Sequence, residues 1–373
     1  MATDIIARGM AAGADAKAQR ALDQMSHFWP PPAEEGTYIL RAVTDEHGFT
    51  TMEWILDTTL KTTESVVSAV SATVSGLGSE NPESVTFIKD NNFTAAGLGV
   101  EEITVDGDVF IKIPTMYRKI NTVVENQITS YTISNTKVDN TYEPYPVFID
   151  EDGVTVMPYV LIGKYWNTST SSLISSTETT SAAYMVLADN RLLARNRGTG
   201  YQLYDWMFWK LWQDLEIVLA EKIDINAGTS FTYDSLGIYW ATVPCWVDGI
   251  SHNGGTLIVS SQPTKYTDEP TINTVGYYSI GYSLATTSNS EIKALGYDTN
   301  HPFVNMPNIV INNSNYNTYY CDGYFYNSSG SRPITTAVCS TGSPITRGAF
   351  FVGGSDKWNN GYPGRLCYRP VSA

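Results

Sequence analysis

The segment from Asp205 to Lys222 restricts the fold more than any other part of the chain. Its apolar residues cover most of the circumference of a helix instead of one stripe: Trp206, Phe208, Trp209, Trp212, Leu215, Ile217, Val218 and Leu219. A helix of this kind is buried on several sides, because it has no broad polar face to present to water. Asp205 is a candidate N-cap, since an Asp carboxylate accepts hydrogen bonds from the first backbone N–H groups of a helix. The sequence therefore predicts a central helix that the other elements cover.

The segments available to cover this helix are strand-like. Apolar and polar residues alternate between 85 and 120, and short strands with turns continue through 121–160. After Ala227, short strands alternate with Gly, Asn and Ser loops, and no helix is predicted there. Residues 168–182 are low in complexity and predict an exposed loop. The predicted fold class is α+β and β-rich.

Composition narrows the class of protein. Charged residues make up 16% of the chain, so uncharged polar residues occupy much of its surface, as is typical of β-rich extracellular or virion proteins. The formal net charge is −15 and no basic cluster occurs, which disfavours binding to nucleic acid through phosphates. No window has the length and apolarity of a signal peptide or a membrane span, so neither standard secretion nor membrane insertion is expected.

The N-terminal part of the chain predicts a helix and a hairpin. Residues 3–25 carry apolar residues three or four apart, which indicates a helix that either anchors the chain to a partner or packs on its own chain. The prolines within residues 27–32 end this helix and form a stiff linker. YILRAV and TTMEWIL then form a predicted β-hairpin around the turn DEHG.

A heptad-like pattern follows the hairpin. Leu60, Val67 and Val74 are seven residues apart, and Val70 and Leu77 complete an alternation of three and four. β-Branched residues at such positions favour helical bundles of more than two chains, so one interpretation is a trimeric stalk. The alternative is a strand or a linker, because Ser, Thr and Val are also common in strands.

Motifs of catalysis are absent from the sequence. The four histidines, His27, His47, His252 and His301, are scattered, and three of them stand beside turn-forming residues, which predicts solvated loop positions. The sequence has no zinc-protease, phosphate-loop, nucleophile-elbow or dinucleotide fingerprint, so no enzymatic activity is expected. Paired carboxylates leave open a glycan-degrading alternative, and the candidate pairs are Glu143 with Asp150 and Asp205 with Glu216.

No cofactor is predicted, although a calcium ion stays an alternative. Loops rich in Asp and Asn offer the hard oxygens that calcium requires: DEHG, DEDG, 298–300, 312–317 and 356–360. The same residues also build turns without any ion. The four cysteines are Cys245, Cys321, Cys339 and Cys367. Their spacing matches no zinc pattern and predicts free buried thiols, with two disulfides as the alternative.

The C-terminal loops combine tyrosine with Asn, Ser and Gly. Such loops join rigid amphipathic rings with adaptable hydrogen bonding, which is a composition typical of binding surfaces. The predicted contact residues are Tyr316, Tyr319, Asn327, Asp356, Trp358, Asn359, Asn360 and Tyr362. The residues assigned instead to the supporting scaffold are Arg347, Gly348, Gly353, Gly354, Arg365 and Arg369.

Several stretches carry a resemblance to a known group. GKYWNTS (163–169) is followed by LLARNRGTGYQLYDWMFWKLWQDLEI (192–217), with IKIPTMYRK (111–119) upstream and RGAFFVGGSDKWNN and GRLCYRP near the end. From Val109 onward the chain resembles bacteriophage structural and tail proteins with a C-terminal C-type-lectin-like domain. That fold is shared with formylglycine-generating enzymes and retroelement variable proteins. ARNRG followed by the aromatic helix is the most specific part.

The resemblance implies a scaffold that displays loops. It carries over neither the copper-site cysteines of the formylglycine-generating enzymes nor the calcium tripeptides of animal lectins, because this sequence lacks both in the required context. The predicted parts are 1–32 (anchor helix and linker), 33–84 (hairpin and stalk), 85–160 (β-rich connecting region) and 161–373 (C-type-lectin-like display domain).

The function that the resemblance implies is that of a virion appendage. A homotrimeric tail fibre would attach to other virion proteins through residues 1–30 and recognise a host-surface glycan or protein through its C-terminal loops, without binding nucleic acid or entering a membrane. The runner-up is a head fibre or capsid decoration protein, and the third reading is a glycan-degrading enzyme.

Overall fold

The computed structural model describes thirteen ranges of the chain: 38–44, 50–56, 69–78, 84–178, 183–223, 233–240, 245–253, 256–260, 277–285, 290–311, 323–324, 331–336 and 362–370. The chain divides into two compact units, Met1–Ser68 and Ala69–Ala373. In the first unit, the described part is an antiparallel hairpin of β1 (Tyr38–Thr44) and β2 (Thr50–Leu56), which confirms the hairpin prediction. The predicted anchor helix and Pro-rich linker lie outside the described residues.

The second unit contains two helices and seventeen strands within the described ranges. The helices are α1 (Leu187–Asn196) and α2 (Trp206–Ala220). A 3-10 turn covers Pro146–Phe148. The first strands are β3 (Ser71–Ser75), β4 (Thr86–Lys89), β5 (Glu101–Val105), β6 (Asp108–Pro114), β7 (Tyr117–Val124), β8 (Gln127–Ser134), β9 (Glu143–Pro144), β10 (Tyr159–Gly163) and β11 (Tyr201–Leu203). The later strands are β12 (Cys245–Asn253), β13 (Thr256–Ser260), β14 (Tyr277–Ser283), β15 (Ser290–Leu295), β16 (Pro307–Ile311), β17 (Gly323–Tyr324), β18 (Ser331–Thr336) and β19 (Leu366–Tyr368).

Antiparallel pairing joins these strands into sheets. Among the described residues, the strand orders are β4-β3-β8-β7-β9, β11-β19-β10-β6-β5, β14-β13-β12-β18 and β16-β15-β17. β10 pairs with β6 on one side and with β19 on the other. β6 belongs to the predicted connecting region, while β10 and β19 lie at the start and at the end of the predicted display domain, so one sheet contains strands from both regions. The β-rich α+β prediction is confirmed at this level.

Helix α2 occupies the centre of the larger hydrophobic core, as its sequence predicts. Every side chain from Trp206 to Val218 is buried. The Asp205 carboxylate accepts hydrogen bonds from the backbone N–H groups of Met207 and Phe208, which confirms the predicted N-cap. Glu221 ends the helix in the left-handed region at φ 53°. In the described residues, neither helix has the length and apolarity needed to cross a membrane.

Helix α1 is an element that the sequence pattern did not predict. Its buried face includes Asn190 and Arg191, and Leu192 on the opposite side is 48% exposed. Because a polar pair faces the core and a leucine faces water, the apolar periodicity of the segment is weak. Gly364 packs closely against this helix, since a Cβ there would lie 2.4 Å from the Asn190 side-chain oxygen.

The candidate stalk is a strand where the structure describes it. In β3, Ala72 and Val74 are buried while the Ser and Thr residues between them are less so, which is the two-residue period of a sheet and not a helical heptad. The Thr73 and Thr132 hydroxyls are 2.8 Å apart across β3 and β8. Cross-strand hydroxyl pairs of this kind stabilise a sheet, so the Ser/Thr-rich sequence suits a strand. Residues 57–68 of the pattern lie outside the described ranges.

Two further sequence expectations need correction. Leu173 and Ser175 are fully buried within the segment expected to be an exposed loop, because the Ser175 hydroxyl binds the Val109 carbonyl at 2.8 Å and accepts the Tyr165 N–H at 2.9 Å. His252 is buried inside β12, which continues through Asn253.

Other expectations about single residues are confirmed. His301 is half-exposed in a turn, as expected of a loop histidine, while His27 and His47 lie outside the described residues. Cys245 and Cys367 are free and buried, as predicted. The other two cysteines lie outside the described ranges.

Candidate functional site

Two adjoining cavities in the second unit form the candidate site. The first has a volume of about 400 Å³, and Trp206, Met207, Val259 and Phe303 give it an apolar floor. The second has a volume of about 410 Å³ and is bounded by the turn that leads into β11. Both cavities are lined by Asp150, Glu151 and Arg369. We call the pair of cavities the cleft and these three residues its shared wall.

Arg369 supplies the positive charge of the shared wall. Its backbone N–H donates to the Gly200 carbonyl at 2.9 Å, which extends the β11–β19 pairing by one step. Its guanidinium donates to the Ile149 carbonyl. Its Nε–H is buried and has no acceptor within the part of the chain that the structure describes. Burial lowers the pKa of Arg369, and the carboxylates of Asp205, Asp150 and Glu151 oppose that shift.

A glycine permits the close approach at this wall. Gly200 has φ +84°, and a Cβ there would lie 2.4 Å from the Arg369 carbonyl oxygen and 2.7 Å from the Tyr368 ring. Both the backbone conformation and the space therefore require glycine.

Asp205 lies behind the wall at the start of α2. It is fully buried, and burial raises its pKa to about 7, although the Arg369 charge and the two helix N–H groups oppose this. Its second carboxylate oxygen accepts a hydrogen bond of 2.5 Å from the Gln202 side chain. The carboxyl thus couples α2 to the cleft, and its charge changes near neutral pH.

A tight turn presents the acidic residues of the wall. The Asp150 N–H donates to the Thr155 carbonyl at 2.8 Å, and the Asp152 carboxylate accepts the Val154 and Thr155 N–H groups at 2.8 Å each. Through these hydrogen bonds the Asp152 side chain stabilises the turn. In the described ranges, no three His, Cys, Asp or Glu residues converge as metal ligands.

The opposite side of the first cavity is fixed by the segment 298–304. The Asp298 carboxylate accepts hydrogen bonds of 3.0 Å from the Gly281 and Asn300 N–H groups and lies 3.0 Å from the His301 ring. Arg118 reaches the same segment from β7, because it donates to the Pro302 carbonyl at 2.5 Å. The cleft is therefore bounded on this side by a segment held from two sheets.

Buried ion pairs stabilise the scaffold around the cleft. Asp214 lies 2.9 Å from Arg118 and 2.7 Å from Lys210, and all three side chains are at most 5% exposed. Arg191 forms a second buried pair with Asp248, which joins α1 to β12. These charges are enclosed in the core and face partners of their own. They hold the scaffold together and are not accessible to a ligand.

Arg365 is also a scaffold residue, as predicted. Its guanidinium lies 4.5 Å from the ring centres of both Trp166 and Trp240 and donates to the carbonyls of Gly163 and Tyr239 at 2.6 and 2.7 Å. Arg369 was also predicted to be a scaffold residue. It donates a hydrogen bond to the Ile149 carbonyl, as a scaffold residue would, but it also lines both cavities.

The proposed catalytic pair of Asp205 and Glu216 does not fit glycoside hydrolysis. The two residues are eleven positions apart along α2, which places them roughly 16 Å apart at 1.5 Å per residue. Paired catalytic carboxyl groups lie roughly 5 to 9.5 Å apart. Glu216 instead binds the backbone N–H and hydroxyl of Ser235 at 2.9 and 3.1 Å.

The predicted contact residues fall mostly outside the described ranges. These are Tyr316, Tyr319, Asn327, Asp356, Trp358, Asn359 and Asn360. Tyr362 is described: it is half-buried, and its ring meets that of Trp246 edge-on with 5.0 Å between centroids. Its backbone pairs with Met185. Tyr362 therefore packs partly against the smaller core, and its role in ligand contact stays a prediction.

The cleft includes residues that sequence reasoning did not assign to binding. Arg195 and Tyr278 carried no signal of their own, Glu151 stood only in the candidate calcium loop DEDG, and Asp150 stood only among candidate calcium and catalytic residues. The one usable signal was the ARNRG stretch, since Arg195 and Gly198 from it line the second cavity. No family model matches the chain, and no curated protein matches it at a significant level.

Proposed function

We propose that this chain is a virion appendage protein that recognises a host-surface glycan or protein, built on a C-type-lectin-like display scaffold. The observation that carries this proposal is the cleft: two adjoining cavities whose wall combines acidic and basic side chains above an apolar floor. Binding sites for small ligands have this character, with mostly apolar surfaces and a few placed polar groups. The ARNRG stretch, on which the resemblance to phage tail proteins depends, forms part of the second cavity.

The arrangement supports binding more than chemical turnover. The fully buried charges are engaged in the scaffold, and the one carboxyl pair that can be placed along α2 is too widely separated for glycoside hydrolysis. The turn and the 298–304 segment are fixed by Asp carboxylates that accept hydrogen bonds from backbone N–H groups, so the cleft is formed before any ligand arrives. A preformed site loses less conformational entropy on binding.

Cell binding tests the proposal directly. The full-length chain, fluorescently labelled, is added to the bacterial strain that the phage carrying this gene infects, and to a mutant strain resistant to that phage. We expect saturable binding to the sensitive strain, loss of binding to the resistant strain, and inhibition of phage adsorption by excess unlabelled chain. Equal binding to both strains, or none to either, would overturn the proposed recognition function.

The position in the virion needs a separate experiment. Virions are assembled with the full chain or with a chain lacking residues 1–30, and tail and head fractions are probed with an antibody against the chain. We expect the full chain in the tail fraction and its absence after the truncation. Detection in the head fraction would favour the head-fibre alternative, and absence from all virion fractions would refute the appendage function. Release of reducing sugar from capsular polysaccharide would favour the enzyme alternative.

A further inference from the structure

We propose that the cleft binds an uncharged oligosaccharide, with at least one sugar unit in each cavity and the shared wall of Asp150, Glu151 and Arg369 contacting both units. This inference rests on the proposed recognition function and names its ligand class. It also places the ligand at a surface different from the predicted C-terminal contact loops.

Hydrogen bonding is the first argument for a sugar. A hydroxyl group both donates and accepts, so a ring with neighbouring hydroxyls is matched by acceptors and donors that stand side by side. The shared wall supplies carboxylate acceptors from Asp150 and Glu151 next to guanidinium donors from Arg369, and the second cavity adds Arg195 and Gln202. Arg369 lines both cavities, and its guanidinium makes one hydrogen bond, to the Ile149 carbonyl, among the described residues.

Apolar surface is the second argument. One face of a pyranose carries C–H groups, and these pack against aromatic and aliphatic side chains. Tyr278 lines the first cavity with 54% of its surface exposed, while Trp206 and Phe303 are 7% and 6% exposed in the floor. Tyrosine suits such a contact because it offers a rigid ring that loses little conformational entropy when a ligand covers it.

Volume and charge set the limits on the sugar. Each cavity holds about 400 Å³, which lies within the range of small-molecule sites, and their common wall allows one chain to occupy both. Arg369 stands against two carboxylates in the first cavity, Arg195 and Arg369 balance the same two carboxylates in the second, and the whole chain carries a formal charge of −15. An anionic sugar would therefore meet like charge, so the cleft favours neutral sugars.

The test measures the binding of defined oligosaccharides to the full-length chain by isothermal titration calorimetry. The neutral probes are maltotriose, mannotriose, cellotriose and N-acetylchitotriose, and the anionic probes are sialyllactose and trigalacturonic acid. We expect at least one neutral probe to bind and the anionic probes to bind at least about tenfold more weakly. We expect Tyr278→Ala and Glu151→Gln each to weaken the neutral probe about tenfold or more, as loss of one ring contact or one charged hydrogen bond does.

A matched control lies in a separate cavity of about 560 Å³ beside α1. Tyr184 lines it with 55% exposure, nearly the value for Tyr278, and Asp189 is its acidic residue. Tyr184→Ala and Asp189→Asn should leave affinity for the probe within twofold of the unchanged chain. Circular dichroism and the unfolding midpoint of each variant show whether a lost signal reflects unfolding, and Glu151→Gln, at an exposed turn, provides the second readout if Tyr278→Ala fails to fold.

The outcomes separate this inference from the function on which it rests. Specific binding to sensitive cells with no binding of any neutral probe, or with tighter binding of an anionic probe, would overturn the saccharide inference and leave recognition intact. Cell binding that Tyr278→Ala weakens while no saccharide competes would indicate a protein receptor and would also overturn it. Probe binding that Tyr184→Ala weakens as strongly as Tyr278→Ala would place the ligand elsewhere.

Discussion

The substitution Asp205→Asn should leave stability unchanged near pH 4 and increase it progressively as the pH rises to about 7. The Asp205 carboxyl is fully buried at the N-terminus of α2, and burial raises its pKa from the ordinary 3.8 to about 7. Asn keeps the side-chain oxygen that caps Met207 and Phe208, since Asn is as good an N-cap as Asp. The NH2 group of the Asn side chain takes the place of the O–H group of a protonated Asp205 carboxyl. After rotation of the Gln202 side-chain amide, the Gln202 carbonyl oxygen can accept a hydrogen bond from this NH2 group.

The magnitude follows from the difference in pKa. Between pH 3.8 and about pH 7, the Asp205 carboxyl is protonated in the folded chain and ionised in the unfolded chain. Its contribution therefore makes the free energy of unfolding fall as the pH rises. The whole interval corresponds to about 4 kcal/mol, at about 1.4 kcal/mol per pH unit. Because the Asn side chain does not ionise, the variant should equal the natural chain near pH 4 and exceed its stability by up to about 4 kcal/mol at pH 8.

Urea unfolding between pH 4.5 and 8 measures this difference. Tryptophan fluorescence follows the transition, since Trp206, Trp209 and Trp212 all lie on α2. Asp152→Asn is the control, and its effect on stability should not vary over this pH range. The Thr155 hydroxyl, with the N–H groups of Val154 and Thr155, lowers the pKa of Asp152, so its contribution is present above pH 3.8 and lost as the pH falls.

One result would refute the reasoning about Asp205. If Asp205→Asn loses the same stability at pH 5 and at pH 8, the carboxyl is charged in the folded chain throughout that range. It would then act as an ordinary ionised N-cap that Arg369 stabilises, and the desolvation argument would be wrong.

Three other predictions follow from the scaffold and the proposed assembly. Gly200→Ala should destabilise the chain by about 2 kcal/mol or more in urea unfolding, because its φ of +84° and a contact of 2.4 Å with the Arg369 carbonyl leave no room for a methyl group. Asp214→Asn should cost about 3–5 kcal/mol at pH 7, because Arg118 and Lys210 keep buried charges without a counter-ion; a loss below 1 kcal/mol would contradict the importance of this cluster. Multi-angle light scattering should give a mass near three times the chain mass of 41.1 kDa, and a monomer at micromolar concentration would argue against the trimer.

The sequence predicted elements whose signal is local and periodic. Helix α2 was predicted with its N-cap because apolar residues around a whole helix and an Asp before it are both visible within eighteen residues. Helix α1 was not, because Asn190 and Arg191 point into the core, where Asn190 reaches Tyr362 and Arg191 pairs with Asp248. Tertiary burial of polar groups removes the contrast on which periodicity depends.

The heptad interpretation failed at β3 for a related reason. Val70 and Val74 are four residues apart, which satisfies a helical period and a two-residue strand period equally. The neighbouring polar side chains distinguish the two periods, because Thr73 and Ser75 hydrogen-bond to Thr132 and Ser130 across the sheet. That information belongs to a partner strand more than fifty residues away, so the segment alone cannot supply it.

The sequence did not predict the cleft, because the cleft forms where one side chain connects segments that are far apart in the chain. Arg369 and Ile149 are 220 residues apart, and their contact closes the wall between the cavities. Arg365 and Arg369 look equivalent in the sequence, but Arg365 enters the core just before β19 between two tryptophans, while Arg369 follows the end of that strand. The end of the strand frees the second arginine to reach the acidic turn. A shift of β19 by even one residue would remove this donor from the cleft, so the pairing of β19 with β10 and β11 fixes the recognition surface as well as the fold.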